Sequence, residues 1–123
     1  MRKDRLIDLH IHGIKNLDTR TEKSSDILRM AELERKAGVS AILPTIYAAP
    51  IDEMRRNIKA VSEAMRVDKS VLGVNLEGPF LNPVRCGAQK KSSLINPSLP
   101  NLKRLIKGFE DIIKIITIAP ELP

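Results

Sequence analysis

Four short apolar runs, separated from one another by stretches of helical periodicity, constrain this chain more than any other feature of its sequence. The first, Leu6-Ile7-Asp8-Leu9-His10-Ile11-His12, alternates from Ile7 onward, with Ile7, Leu9 and Ile11 on one face of a strand and Asp8, His10 and His12 on the other. The second, Ala41-Ile42-Leu43, ends in Pro44-Thr45. In the third, Val71 to Glu77, Leu72, Val74 and Leu76 oppose Gly73, Asn75 and Glu77. The fourth is the β-branched run from Ile112 to Ile118, stopped by Pro120. The expected strands are therefore 6–12, 41–45, 71–77 and 112–118.

The intervening segments read as two loops and three helices. Gly13 to Ser25 is polar and aperiodic, which predicts a loop at the end of the first strand. From Asp26 the pattern turns helical, with Ile27, Met30, Ala31 and Ala37 for one face, Ser24 or Ser25 as N-cap and Gly38 as the stop. After Pro50, Ile51, Met54, Ile58, Val61 and Met65 recur at helical spacing, with Asp52 and Glu53 in the first turn. A long loop from Gly78 to Ser98 precedes a helix opened by Pro100 and presenting Leu102, Leu105, Ile106 and Phe109.

Strands that alternate with helices require crossover connections and a parallel sheet, so the class is α/β, in one domain over 1–123. The order leaves open an open doubly wound sheet or an arc of a (β/α)8 barrel. Either architecture gathers functional groups at the C-terminal edge of its strands. Here the first strand ends in His10 and His12, and the third in Glu77.

Composition removes several function classes. The formal charge of +6 invites a nucleic-acid reading, but three aromatic residues (Tyr47, Phe80, Phe109) offer little to stack on bases, and the basic residues are interleaved with acids. No nucleic-acid partner is expected. Nor is a membrane partner, because no apolar run approaches the roughly 20 residues of a spanning helix. The single cysteine, Cys86, excludes a disulfide within the chain and a thiolate zinc cluster, and fits a cytoplasmic setting. Dinucleotide, P-loop and serine-hydrolase signatures are absent.

His10-x-His12 on a strand places two imidazoles on one face about 7 Å apart along the backbone, a spacing suited to two ligands of one divalent metal. The bland reading is a polar strand face turned to water. Glu77, where an apolar strand meets the Gly78-Pro79 turn, could be a third ligand, a bridge between metals or a general base, or an ordinary solvated glutamate.

Four strings carry a resemblance: Ile7-Asp8-Leu9-His10-Ile11-His12-Gly13, Gly38-Val39-Ser40-Ala41-Ile42-Leu43-Pro44-Thr45, Leu72-Gly73-Val74-Asn75-Leu76-Glu77-Gly78-Pro79-Phe80-Leu81-Asn82 and Ile118-Ala119-Pro120-Glu121. In order and spacing they resemble successive signatures of N-acetylglucosamine-6-phosphate deacetylase, a metal-dependent family of the amidohydrolase superfamily. The resemblance implies a partial (β/α)8 TIM barrel of the metallo-dependent hydrolase type, about four of eight strands.

The resemblance also implies site roles. The glutamate of the L-E-G-P string is a direct metal ligand, which falls on Glu77, and the H-x-H pair, retained as His10 and His12, belongs to the second metal of binuclear members. The family's substrate contact, a small residue followed by histidine, falls on Ala88 and Gln89; glutamine still hydrogen-bonds a sugar or phosphate oxygen but cannot be protonated. The implied cofactor is a divalent metal, zinc or iron, and the implied partner a phosphorylated amino-sugar substrate. No catalytic residue is expected within this chain, because the family's catalytic aspartate and two further metal histidines lie beyond the position of Pro123. The expectation is a cytoplasmic deacetylase segment, inactive as this chain alone. The alternatives are another amidohydrolase or a non-catalytic α/β module. Open edges and an apolar inner face on an unclosed sheet would favour a homo-oligomer.

Overall fold

The computed structural model describes residues 6–123. Its main sheet has four parallel strands in the order β1 (Leu6–Ile11), β4 (Val39–Tyr47), β5 (Val74–Glu77) and β6 (Ile113–Thr117). Between β1 and β4 lie a small antiparallel hairpin, β2 (Gly13–Ile14) with β3 (Leu17–Asp18), and helix α1 (Ser24–Lys36). Helix α2 (Ile51–Val67) links β4 to β5, and α3 (Leu99–Ile106) precedes β6. Chain order and sheet order agree, with no reversal, and α1 packs on α2 as α2 packs on α3. A doubly wound sheet would reverse its order and cover both faces; this one advances in one direction, as an arc of a barrel does.

The core fills the space between helices and sheet. Ile27 and Met30 of α1, Met54, Ile58 and Val61 of α2, Leu105 of α3, and Ile42, Ile46, Val74 and Leu76 of the strands are essentially solvent-free. The 3, 4, 3 spacing of Ile51, Met54, Ile58 and Val61 is the periodicity that puts all four on the sheet-facing side of α2. No helix of the described residues is long and apolar enough to cross a membrane.

Several expectations change. The segment after His12 forms the β2–β3 hairpin rather than an irregular loop. Strand pairs this short carry too few residues to show a period of two. The second main strand extends to Val39–Tyr47, beyond the expected 41–45, because β1 and β5 pair with it along different stretches. The third begins at Val74 rather than Val71: Val71 makes only an isolated bridge to Ile42, and Gly73 breaks the run. A Cβ on Gly73 would stand 2.5 Å from the Ile112 carbonyl oxygen, so only glycine fits that approach. The fourth spans Ile113–Thr117, with Ile112 in a 3-10 turn.

Ser24 and Ser25 lie inside α1 and do not cap it; the Thr21 hydroxyl donates to Asp26 at 2.6 Å and accepts from the Lys23 N–H, organising the entry instead. Ser98 caps α3 and Pro100 sits in its first turn, as expected, whereas Phe109 lies beyond that helix. On β1 only Ile11 is buried, whereas Ile7 and Leu9 are about half exposed. Apolar side chains of β1 stay exposed because β1 is an edge strand paired only with β4.

Candidate metal centre

The strand periodicity that sends Val74 and Leu76 into the core turns Asn75 and Glu77 to the other face. Glu77 ends β5 in register with Tyr47 of β4, and His12 stands one residue past the end of β1. Although β4 separates their strands, His10, His12 and Glu77 converge: one ligand atom from each lies within 4.8 Å of the other two. The His12 Nε2 is 2.6 Å from Glu77 Oε2 and 3.2 Å from His10 Nε2, and His10 Nε2 is 3.4 Å from the same carboxylate oxygen. His12 and Glu77 are about one-quarter exposed and His10 about one-half, so the group opens to solvent at the strand ends. Asp8 does not join it; its carboxylate accepts the His10 backbone N–H.

The protonation of His12 follows from its partners. Its Nδ1 stands 3.0 Å from the Thr45 carbonyl oxygen, which can only accept, so Nδ1 carries a proton and Nε2 is the atom turned to Glu77. At 2.6 Å, Nε2 and the Glu77 carboxylate are placed to share a proton or a metal ion. Two imidazoles with one carboxylate is also the nitrogen and oxygen donor set that zinc and iron accept. The residues present therefore fit a divalent metal.

Around the ligands stands a supporting set that sequence reading did not pick out. Tyr47 stacks on the His12 ring, centroids 3.8 Å apart and planes within 18°, and the Arg20 guanidinium covers the Tyr47 ring at 4.3 Å. Burial pushes the Tyr47 hydroxyl above its ordinary pKa, and the Asp18 carboxylate adds to that. Thr19 is buried; its N–H donates to the His12 carbonyl at 2.8 Å and its hydroxyl to the Thr45 carbonyl at 2.7 Å. The available signal was the row of turn-forming residues after Gly13. A Cβ on Gly13 would collide with the Leu17 carbonyl oxygen, so glycine is what lets the hairpin fold back and bring Thr19 to this place.

Ala88 and Gln89 lie on the loop after β5. Ala88 is exposed, while Gln89 is buried with its Oε1 accepting the Ala48 N–H at 3.1 Å, just past β4. That loop reaches the rim but neither residue belongs to the His-His-Glu group. Cys86 rests its Sγ against the Pro83 and Gln89 carbonyls at 3.5 Å.

No family sequence model matches the chain. Individual relatives do. The chain is 31% identical over 122 residues to N-acetylglucosamine-6-phosphate deacetylase of Bacillus subtilis and 26% identical over 118 residues to N-acetylgalactosamine-6-phosphate deacetylase of Escherichia coli O157:H7. Both alignments cover 94% of this chain and 31% of the relative. Among solved structures, N-acetylglucosamine-6-phosphate deacetylase from Pasteurella multocida superposes with a TM-score of 0.87 at 27% identity, over 97% of this chain and 32% of the other. The chain thus spans about a third of the length of the proteins it matches.

Proposed function

We propose that this chain, a homologue of N-acetylhexosamine-6-phosphate deacetylases over nearly all of its length, forms the metal-binding rim of such an enzyme, with Glu77, His10 and His12 as ligands. One observation carries the reading: three ligand atoms from two non-adjacent strands meet within 4.8 Å at the C-terminal edge of a parallel sheet. A divalent ion held there, zinc or iron by its donor set, would polarise an amide carbonyl and lower the pKa of bound water. The reaction class is hydrolysis of the acetamide of a phosphorylated amino sugar to acetate and the free amine. Relatives named for the glucosamine and for the galactosamine substrate are similar at comparable identity, so the substrate class proposed is the N-acetylhexosamine 6-phosphate, not one epimer.

The chain's own residues would divide the work. His12, its proton held on Nδ1 by Thr45, keeps Nε2 free for the ion. Ala88 and Gln89 stand as substrate contacts; with the Gln89 oxygen committed to Ala48, its amide nitrogen is the group offered to a substrate oxygen. Arg85, Lys90 and Lys91 on the same loop are exposed and favour an anionic substrate. A phosphorylated sugar is a cytoplasmic metabolite, and the cytoplasm is the proposed setting.

Among the described residues, no second carboxylate joins the metal group to take a proton from water. The chain by itself is therefore expected to bind metal and not to turn over substrate. The test is calorimetric titration with zinc, alongside acetate release from N-acetylglucosamine 6-phosphate with zinc or ferrous iron. About one equivalent of metal bound, lost in Glu77→Gln, with no turnover, supports the reading. Absence of metal binding, or binding unchanged by Glu77→Gln, overturns the ligand assignment; clear turnover overturns the claim of an inactive chain.

A further inference from the structure

We propose that Thr19 is a positioning residue for the metal centre: it sets both the place and the tautomer of His12 from a hairpin that contributes no ligand. The inference rests on the metal reading above and adds to it.

The geometry is a closed loop of hydrogen bonds. The Thr19 N–H holds the His12 carbonyl at 2.8 Å, fixing the backbone from which the ring projects. Its hydroxyl donates to the Thr45 carbonyl at 2.7 Å, and the same oxygen accepts His12 Nδ1–H at 3.0 Å. A carbonyl oxygen has two lone pairs, so both donors are accommodated, and the Thr19 hydroxyl keeps that oxygen aimed at the ring. Thr19 is only 1% exposed, so water does not compete for its hydroxyl. Partners that orient a ligating histidine through its second nitrogen typically account for 10- to 100-fold in metal affinity. In this chain the orienting group is a backbone carbonyl of β4, and the residue that fixes the carbonyl is Thr19. The β2–β3 hairpin thereby acquires a reason for its fold: its register, Gly13 against Asp18 and Ile14 against Leu17, delivers the next residue to the His12 backbone.

The test compares Thr19→Val, which keeps the branched shape and removes the hydroxyl, with Thr19→Ser, which keeps the hydroxyl. Zinc alone is the probe, titrated by calorimetry, with the metal-free unfolding midpoint measured in parallel to separate positioning from structure. Thr19→Val is expected to bind zinc about 10- to 100-fold more weakly while remaining folded without metal, and Thr19→Ser to stay within about threefold of the parent. In ¹⁵N spectra of the zinc-loaded parent, the His12 proton is expected on Nδ1 and the metal on Nε2. Unchanged zinc affinity in folded Thr19→Val, or zinc on Nδ1 of His12, overturns the proposal. Should Thr19→Val not fold, Thr19→Ser decides: retained affinity supports the hydroxyl's role, and a tenfold loss in folded protein overturns it. If the parent itself binds no zinc, the metal reading has failed, an outcome distinct from a parent that binds and a Thr19→Val variant that binds equally.

Discussion

Asn75→Ala should separate the stability of the sheet from the geometry of its site. Asn75 is 3% exposed on β5, and its Nδ2 donates to the Leu9 carbonyl of β1 at 3.0 Å, reaching past β4. Leu9 immediately precedes His10, and Asn75 lies two residues before Glu77 on the same face, so this bond ties together the two strands that carry His10 and Glu77. Its Oδ1 is buried without a hydrogen-bond partner. Two terms therefore oppose each other on truncation. Losing the bond costs about 1 kcal/mol net, while removing the orphaned oxygen gives back a desolvation cost of about 1–3 kcal/mol. Global stability should change by less than about 2 kcal/mol in either direction. The tether itself is lost, and metal binding must then supply the approach of β1 to β5. A net bond of about 1 kcal/mol corresponds to roughly fivefold weaker zinc binding. Urea denaturation of the metal-free chain and zinc titration of the same preparations measure the two quantities. A loss of more than about 3 kcal/mol with unchanged zinc affinity would refute the reasoning, since it would make Asn75 a packing residue and not a tether.

Two further outcomes follow from groups near and far from the site. Asp68 closes α2 against α1: its Oδ2 takes Arg35 Nη1 at 2.5 Å, and its Oδ1 takes the Ser70 N–H and hydroxyl at 2.9 and 2.7 Å. Burial raises this carboxyl, but those bonds outweigh it and hold the pKa below the ordinary 3.8. A depressed folded value means the unfolded chain binds more protons, so the contribution is present above about pH 4 and disappears as pH falls through the folded value. Asp68→Asn should cost about 1 kcal/mol at pH 7 and progressively less as pH falls below about 4 by urea denaturation; a cost that does not fall with pH would contradict it. Tyr47 is the single tyrosine of a chain without tryptophan, and it stacks on His12, so its emission should change as the first equivalent of zinc binds. An identical titration in His12→Ala would show that the signal does not come from this stack.

What could be read in the sequence was whatever periodicity controls. The strand alternation put His10 and Glu77 on ligand-bearing faces, and the helical spacing of Met54, Ile58 and Val61 marked the buried side of α2. What escaped was set by contacts between segments far apart in the chain. Thr19 looked like one polar residue among many, because its partners His12 and Thr45 are chosen by a hairpin too short to show a period and by the neighbouring strand. Ile7 and Leu9 carried the signal of a buried face, yet alternation reports only that two faces differ; what covers each face depends on the strand's place in the sheet, and β1 is an edge. For Gln89 the family resemblance implies a substrate contact, whereas the commitment of its oxygen to Ala48 is a tertiary fact.

The arrangement also explains why the His-His-Glu group skips a strand. β4 pairs on one side with β1 and on the other with β5, so its end lies between the histidines and the glutamate. A ligand borne there would crowd atoms that already stand 2.6–3.4 Å apart. Instead the end of β4 braces His12: the Thr45 carbonyl accepts the His12 Nδ1–H and Tyr47 stacks on the same ring, while the N–H of Ala48, just past the strand, holds Gln89. All three are at consecutive or near-consecutive positions where the strand gives way to the loop before α2, and a strand fixed on both edges is the stiffest support the sheet offers for them. The two histidines are consequently unequal. His12 is braced at its backbone, at Nδ1 and on its ring face, whereas the polar contacts of the half-exposed His10 ring among the described residues are to His12 and Glu77. Under the proposed metal reading, His12 and Glu77 are the ligands the fold holds in place, and His10 is the one left to be drawn in by the ion.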